Sequence, residues 1–245
     1  MPKVFWGILP ERCVYDLSFE VGLRVADRAA RKGFFPIYAQ YGRTDITRQA
    51  MCDFFLANTN DPADTLVMLD VDHDHPPEIV ERLAAHTVPV VAALAFRRCE
   101  PFQACAFRRD PASGELRHLA TFPPGLHAMA AVGTGAIAIK RGALEQLQHA
   151  GHEWFFKYEY SRGVDGLIAP SEDLYFSKIC EEVGVGMFVD TTIETPHITL
   201  SFIDRQTHDG YWAGKAALHA IGQPGAPGPR QGRVISPDIV TRLEV

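Results

Sequence analysis

The chain has 245 residues, 47% hydrophobic and 22% charged, with a net charge of −6. That balance suits one large α/β domain, alone or with a tail, and its sign gives no global pull toward nucleic acid or an anionic membrane. Five cysteines (Cys13, Cys52, Cys99, Cys105, Cys180) without a Cys-x-x-Cys pair argue against a disulfide framework or zinc knuckle. No run reaches transmembrane length and no signal-peptide pattern opens the chain, so a soluble, cytoplasmic protein without a membrane span is expected.

In chain order, residues 4–9 read as a buried strand closed by Pro10. Residues 15–32 carry helical periodicity and stop at Gly33, a C-terminal stop signal. Residues 34–40 read as a second strand, 44–57 as a helix, and 65–70 as a third strand. Pro76-Pro77 opens a helix through His86, because proline suits a first helical turn. Residues 88–96 form a fourth apolar run. This alternation predicts a mostly parallel sheet covered by helices. Beyond Arg97, residues 104–120 read as a hairpin around the turn-rich 110–114 segment. Residues 129–140 read as an apolar strand interrupted by Gly133-Thr134-Gly135, 142–150 and 171–183 as helices, and 187–190 as a last short strand. The Gly/Pro-rich stretch 222–232 cannot be regular structure and reads as a flexible tail or flap. The short basic clusters Arg97-Arg98, Arg108-Arg109 and Lys140-Arg141 read as solvated loop charge.

The third strand ends in Asp70-Val71-Asp72-His73-Asp74-His75. Alternate side chains of an extended segment share a face, which sets Asp70 beside Asp72. Two carboxylates that close repel unless a cation or a shared proton lies between them. A divalent metal carrying phosphates is the commonest reason to build such a pair. The plainer alternative is a solvated strand-to-loop turn, in which aspartate is at home.

With two β-α units before it, this strand end resembles that of the nucleotide-sugar-dependent glycosyltransferases of the GT-A fold, particularly small family-2-like enzymes. The resemblance implies a Rossmann-like, mostly parallel central sheet flanked by helices over residues 1–205, with 206–245 as a C-terminal extension. It implies that Asp70 and Asp72 hold Mn²⁺ or Mg²⁺ against the donor's diphosphate, with His197 completing the metal site and His208 a weaker substitute. Gly133, Thr134 and Gly135 resemble the segment beside the donor sugar; their glycines would permit close backbone approach, and a bulge in a buried strand is the alternative. Pro10 and Glu11 stand where the nucleotide base is received. Arg48 resembles an arginine that approaches the nucleotide, an exposed helix arginine being the alternative.

Ser171-Glu172-Asp173 opens a helix, and capping explains it without catalysis. By the resemblance one of these carboxylates takes the acceptor hydroxyl's proton, Asp173 first and Glu172 second, as inversion requires. The implied activity is hexosyl transfer from a nucleoside diphosphate sugar to a hydroxyl on a glycan, protein, lipid, small molecule or modified nucleic acid. His73, Asp74 and His75 depart from the usual pattern and read as partners of the ligands or as a polar loop. Trp154, Phe155, Phe156 and Trp212 read mainly as core, with sugar stacking as the alternative. Three rivals remain: a haloacid-dehalogenase-like phosphatase using Asp70 and Asp72, a metallohydrolase built on Asp72-His73-Asp74-His75, which lacks the usual His-x-His spacing before Asp-His, and a non-catalytic scaffold that binds a nucleotide or glycan.

Overall fold

The computed structural model describes residues 2–9, 16–39, 43–159, 161–163, 166–168, 171–199 and 203–221. Its first half alternates strand and helix: β1 (Val4–Leu9), α1 (Asp16–Arg31), β2 (Phe35–Pro36), α2 (Thr44–Asn58), β3 (Thr65–Asp70), α3 (Ile79–Ala84) and β4 (Val90–Leu94). Strands then dominate: β5 (Ala106–Arg109), β6 (Leu116–His118), β7 (Leu126–Met129), β8 (Ala131–Val132) and β9 (Ala136–Lys140). After α4 (Arg141–His149) come the short β10 (Ser161–Gly163) and β11 (Gly166–Ile168). The described chain closes with α5 (Glu172–Val183), β12 (Met187–Glu194) and α6 (Arg205–Ile221).

Seven strands form one mixed sheet in the order β2-β1-β3-β9-β4-β12-β7. Five of them run the same way, while β9 and β7 run against the rest. Helices cover both faces, so the central strands are apolar without interruption rather than alternating. On β3, Leu66 and Met68 join the core built with Met51, Cys52 and Phe55 of α2, Leu144 and Leu147 of α4, and Phe176 and Ile179 of α5. Val67 and Leu69 join the opposite core, with Val21 and Val25 of α1 and Ile79 and Leu83 of α3. By the same period of two, Asp70 points toward the α2 and α5 side.

The sequence expectations hold for the central strands, for the stop at Gly33 (φ +71°) and for the 104–120 hairpin, whose turn closes through Gly114 N–H to Asp110 O at 2.8 Å. Four elements differ. β2 has two residues rather than seven, since Pro36 has no N–H to extend the ladder. The helix after Pro76-Pro77 opens only at Ile79. The apolar run at 129–140 splits: β8 pairs with β5, whereas β9 enters the main sheet. β12 continues to Glu194, past a register shift between Asp190 and Glu194.

Beyond residue 205 the chain continues as α6, whose Thr207 and His208 are buried and whose Tyr211 packs on the core. The Gly/Pro-rich segment, and any lid it forms, lie outside the described residues. Phe155 and Phe156 are core residues, while Trp154 and Trp212 keep much of their surface exposed. Cys52, Cys99, Cys105 and Cys180 are free thiols. No helix of the described residues is long and apolar enough to cross a membrane.

Candidate active site

The antiparallel strand β9 lies between β3 and β4, and this insertion builds the site. Leu69 pairs with Ala136, so the Gly133-Thr134-Gly135 segment entering β9 meets the carboxyl end of β3, where Asp70 N–H donates to Gly135 O at 2.8 Å. β12 runs parallel to β4 and delivers the 195–197 segment to the same edge, anchored by Thr195 N–H to Leu94 O at 2.9 Å. Ligand crevices in α/β sheets form outside these carboxyl ends. Two backbone bonds clip the acidic turn to the loop after β12: Asp74 N–H to Pro196 O at 2.8 Å and Ile198 N–H to Asp72 O at 2.7 Å. A groove of about 610 Å³, lined by Val4, Thr65, His86 and Lys140 among others, lies at the opposite end of β3 and shares no residue with this edge.

Asp70 and Asp72 do not share one counter-ion. β3 ends at Asp70, and each carboxylate has its own guanidinium. Arg48 Nη2 donates to Asp70 Oδ1 at 2.7 Å, and Arg98 Nη1 lies 2.8 Å from Asp72 Oδ2. Arg48 is no exposed helix arginine: its side chain is 1% exposed. It also donates from Nη1 to Thr134 O at 3.2 Å and from Nε to Glu172 Oε1 at 3.5 Å, and it lies over the Phe156 ring. One cation thus ties α2, β3, the Gly-Thr-Gly segment and α5 together. Burial pushes the Asp70 carboxyl up to about 7; Arg48 opposes that shift, and Asp72, Glu172 and Asp173 add to it.

Asp72 belongs to a second group. One donor atom each of Asp72, His73 and His197 lie within 4.8 Å of one another. Asp70 is outside this triad, and His208 is elsewhere, its Nδ1 beside Asp209 and its ring against Phe96 and Phe122. His73 Nδ1 faces Thr195 O at 2.9 Å, and His197 Nδ1 faces the carbonyl of Phe96. A carbonyl only accepts, so each Nδ1 carries the proton and each Nε2 keeps its lone pair. Metal-bound imidazoles are held in this way, with the distal N–H on a backbone carbonyl. Burial holds His73 well below the usual histidine range, and it lowers His197 as well, so both rings stay neutral. His73 Nε2 stands 3.9 Å from Asp72 Oδ1, too far for a hydrogen bond. Ligands about 2.1 Å from one ion lie at most about 4.2 Å apart, so a contraction of roughly half an ångström seats a cation here. The residues fit a divalent metal.

Gly135 has a steric reason to be glycine. A Cβ there would fall 2.6 Å from His73 Nε2 and 2.7 Å from His73 Cε1. Gly135→Ala is therefore expected to displace the His73 ring and weaken Mn²⁺ binding by about tenfold or more, read by titration calorimetry. Unchanged affinity would remove His73 from the ligand set.

At the first turn of α5 the two acids differ. Glu172 is buried and engages Arg48 and the Tyr158 hydroxyl. Asp173 is half-buried, and its carboxylate makes no hydrogen bond or ion pair among the described residues. Its Oδ2 lies 3.8 Å from where a Cβ on Gly133 would stand, so it flanks the glycine segment. Pro10 and Glu11 lie outside the described residues. Sequence reasoning offered His73 as a metal donor only within the metallohydrolase alternative and did not place it beside His197. It missed Arg98, taken for loop charge, whereas His75, read as a partner of the ligands or a polar loop, faces Asp70 O through Nε2 at 2.7 Å.

The buried imidazoles set a pH dependence. His75 is pushed down to about 4 by burial, and His73 and His197 are lowered too. Between about pH 4 and the ordinary histidine value near 6.5, the unfolded chain binds protons that the folded chain does not, so stability rises with pH. Asp70, raised to about 7, acts in the opposite sense, one group against three. The metal-free Tm is expected to climb from pH 4 to 6.5; a flat or falling profile would contradict the neutral-imidazole assignment.

No protein-family model and no curated protein sequence matches the chain. Among solved structures it is similar to a mutant of Drosophila β-1,4-galactosyltransferase 7, solved with manganese, UDP-Gal and xylobiose. That likeness has a TM-score of 0.42 at 11% identity and covers 80% of this chain and 71% of the other. It is too slight to assign a family or an activity.

Proposed function

We propose that the protein is a GT-A-like glycosyltransferase that moves a sugar, in the manner of a hexosyltransferase, from a nucleoside diphosphate sugar to an acceptor hydroxyl with inversion. One observation carries the reading: a metal-competent triad and a half-buried carboxylate that makes no hydrogen bond or ion pair among the described residues meet at one edge of the sheet. Asp72, His73 and His197 would hold the divalent ion. Two imidazoles with one carboxylate suit Mn²⁺ better than Mg²⁺, which prefers oxygen donors. When bound, the ion supplies positive charge for the departing diphosphate.

The chain's own residues do the rest. Asp173 takes the acceptor's hydroxyl proton, the freed oxygen forms the new bond at the anomeric carbon, and the bond to the diphosphate breaks on the opposite face. Glu172, committed to Arg48 and Tyr158, holds the start of α5 in place rather than exchanging protons. Arg48 holds Asp70 and the Thr134 carbonyl beneath the donor segment. The space beside Gly133 and Gly135 is filled by Cys105 and by the His73 ring, so these glycines seat the chain's own side chains instead of opening the backbone to the donor. Pro10 and Glu11 would receive the nucleotide base.

The phosphatase reading needs Asp70 as a free, ionised nucleophile, and here it is held by a buried arginine with its protonation favoured up to about pH 7. A panel of UDP- and GDP-sugars, assayed for Mn²⁺-dependent turnover beside generic phosphate esters, tests the proposal. Sugar-nucleotide turnover lost in Asp72→Ala supports it. Phosphate-ester hydrolysis lost in Asp70→Asn sinks it.

A further inference from the structure

The two arginines of this edge are built differently. Arg48 is enclosed, with three hydrogen bonds to three elements. Arg98 leaves β4 on a chain segment at the site's rim, with its side chain 50% exposed and one ion pair, to Asp72. Asp72 is 5% exposed and has no other cation within 4 Å among the described residues, save the neutral His73. A carboxylate that buried requires a counter-charge, and in the metal-free protein Arg98 supplies it. The oxygen Arg98 takes, Oδ2, belongs to the carboxylate whose Oδ1 faces His73 Nε2.

We propose that Arg98 is a resident cation in the metal seat, that a divalent ion displaces it from Asp72, and that the released guanidinium then binds the donor's diphosphate. This rests on the metal reading above. A divalent ion, with two imidazole bonds besides, competes with the singly charged guanidinium for Asp72 and repels it. A half-exposed arginine loses little packing when it lets go. Its planar fork matches phosphate oxygens bidentately, and the ligand class it would meet beside the ion is a diphosphate. Metal and diphosphate then bind in an order: the ion opens the seat and frees the arginine for the anion.

Mn²⁺ titration of the full chain without nucleotide, followed by UDP and GDP titrations in saturating Mn²⁺, tests this with Arg98→Gln and Asp72→Ala beside the wild type. A seat nine-tenths filled by its own arginine weakens apparent metal affinity about tenfold, so Arg98→Gln should tighten Mn²⁺ by about that factor. The same variant should weaken the Mn²⁺-dependent diphosphate by about tenfold or more, the loss of a charge-assisted pair. If Mn²⁺ binds through Asp72 but Arg98→Gln changes neither affinity, or weakens Mn²⁺, the displacement idea fails and the metal site stands. If wild type and Asp72→Ala take up Mn²⁺ alike, the metal reading itself has failed.

Discussion

Replacing Arg48 with methionine is expected to destabilise the protein by about 3–5 kcal/mol, because it strands two carboxylates without a counter-charge. Methionine keeps most of the side-chain volume, so the loss is electrostatic rather than a cavity. Asp70 and Glu172 both lose their ion-pair partner, and the Thr134 carbonyl loses its donor. Urea unfolding should show the fall in midpoint, growing above about pH 7, where Asp70 ionises beside Arg48 in the folded wild type, and shrinking in acid, which protonates the stranded groups. Adding Asp70→Asn to Arg48→Met should return part of the loss, because a neutral amide needs no counter-ion. A cost below about 1 kcal/mol for Arg48→Met would show that the network contributes no more than an exposed pair does.

Asp173→Asn should lower kcat for sugar transfer by about 10²- to 10⁴-fold while leaving Mn²⁺ and diphosphate affinity unchanged, since general-base assistance is worth that much. The asparagine keeps shape and cannot accept the hydroxyl's proton. Glu172→Gln serves as the contrast: it should reduce stability through Arg48, with a smaller effect on turnover. The opposite ranking, with the fold intact, would transfer the base to Glu172. The distinction rests on partners, since Glu172 is tied down on one side by Arg48 and on the other by Tyr158.

Much of this was legible in the sequence because burial on both faces writes strands as unbroken apolar runs. β1, β3 and β4 follow from that alone, and so does a sheet covered by helices. The antiparallel entry of β9 between β3 and β4 was not legible, since the partner of a strand is a non-local choice. The reach of β12 was hidden at Thr191 and Thr192: Thr192 bonds locally to Asp190, but Thr191 bonds to Pro123 and Gly125, partners more than sixty residues away in the chain. Arg48 could have been found: it sits three, four and seven residues before Met51, Cys52 and Phe55, on the stripe that α2 buries. An arginine on that stripe requires acids opposite it. The expectation that Asp70 and Asp72 share one cation came from strand geometry, and the strand ends before Asp72. The placing of His73 beside His197 was not legible because it depends on Thr195 and Gly135, which lie 122 and 62 residues from His73 in the chain.

The most direct test of the central claim is calorimetric binding of UDP and GDP with and without Mn²⁺, in the wild type and in His197→Ala. The account predicts that at least one diphosphate binds only when Mn²⁺ is present and that His197→Ala abolishes the Mn²⁺-dependent part. Diphosphate binding indifferent to Mn²⁺ and to His197, or no binding of either, would contradict it.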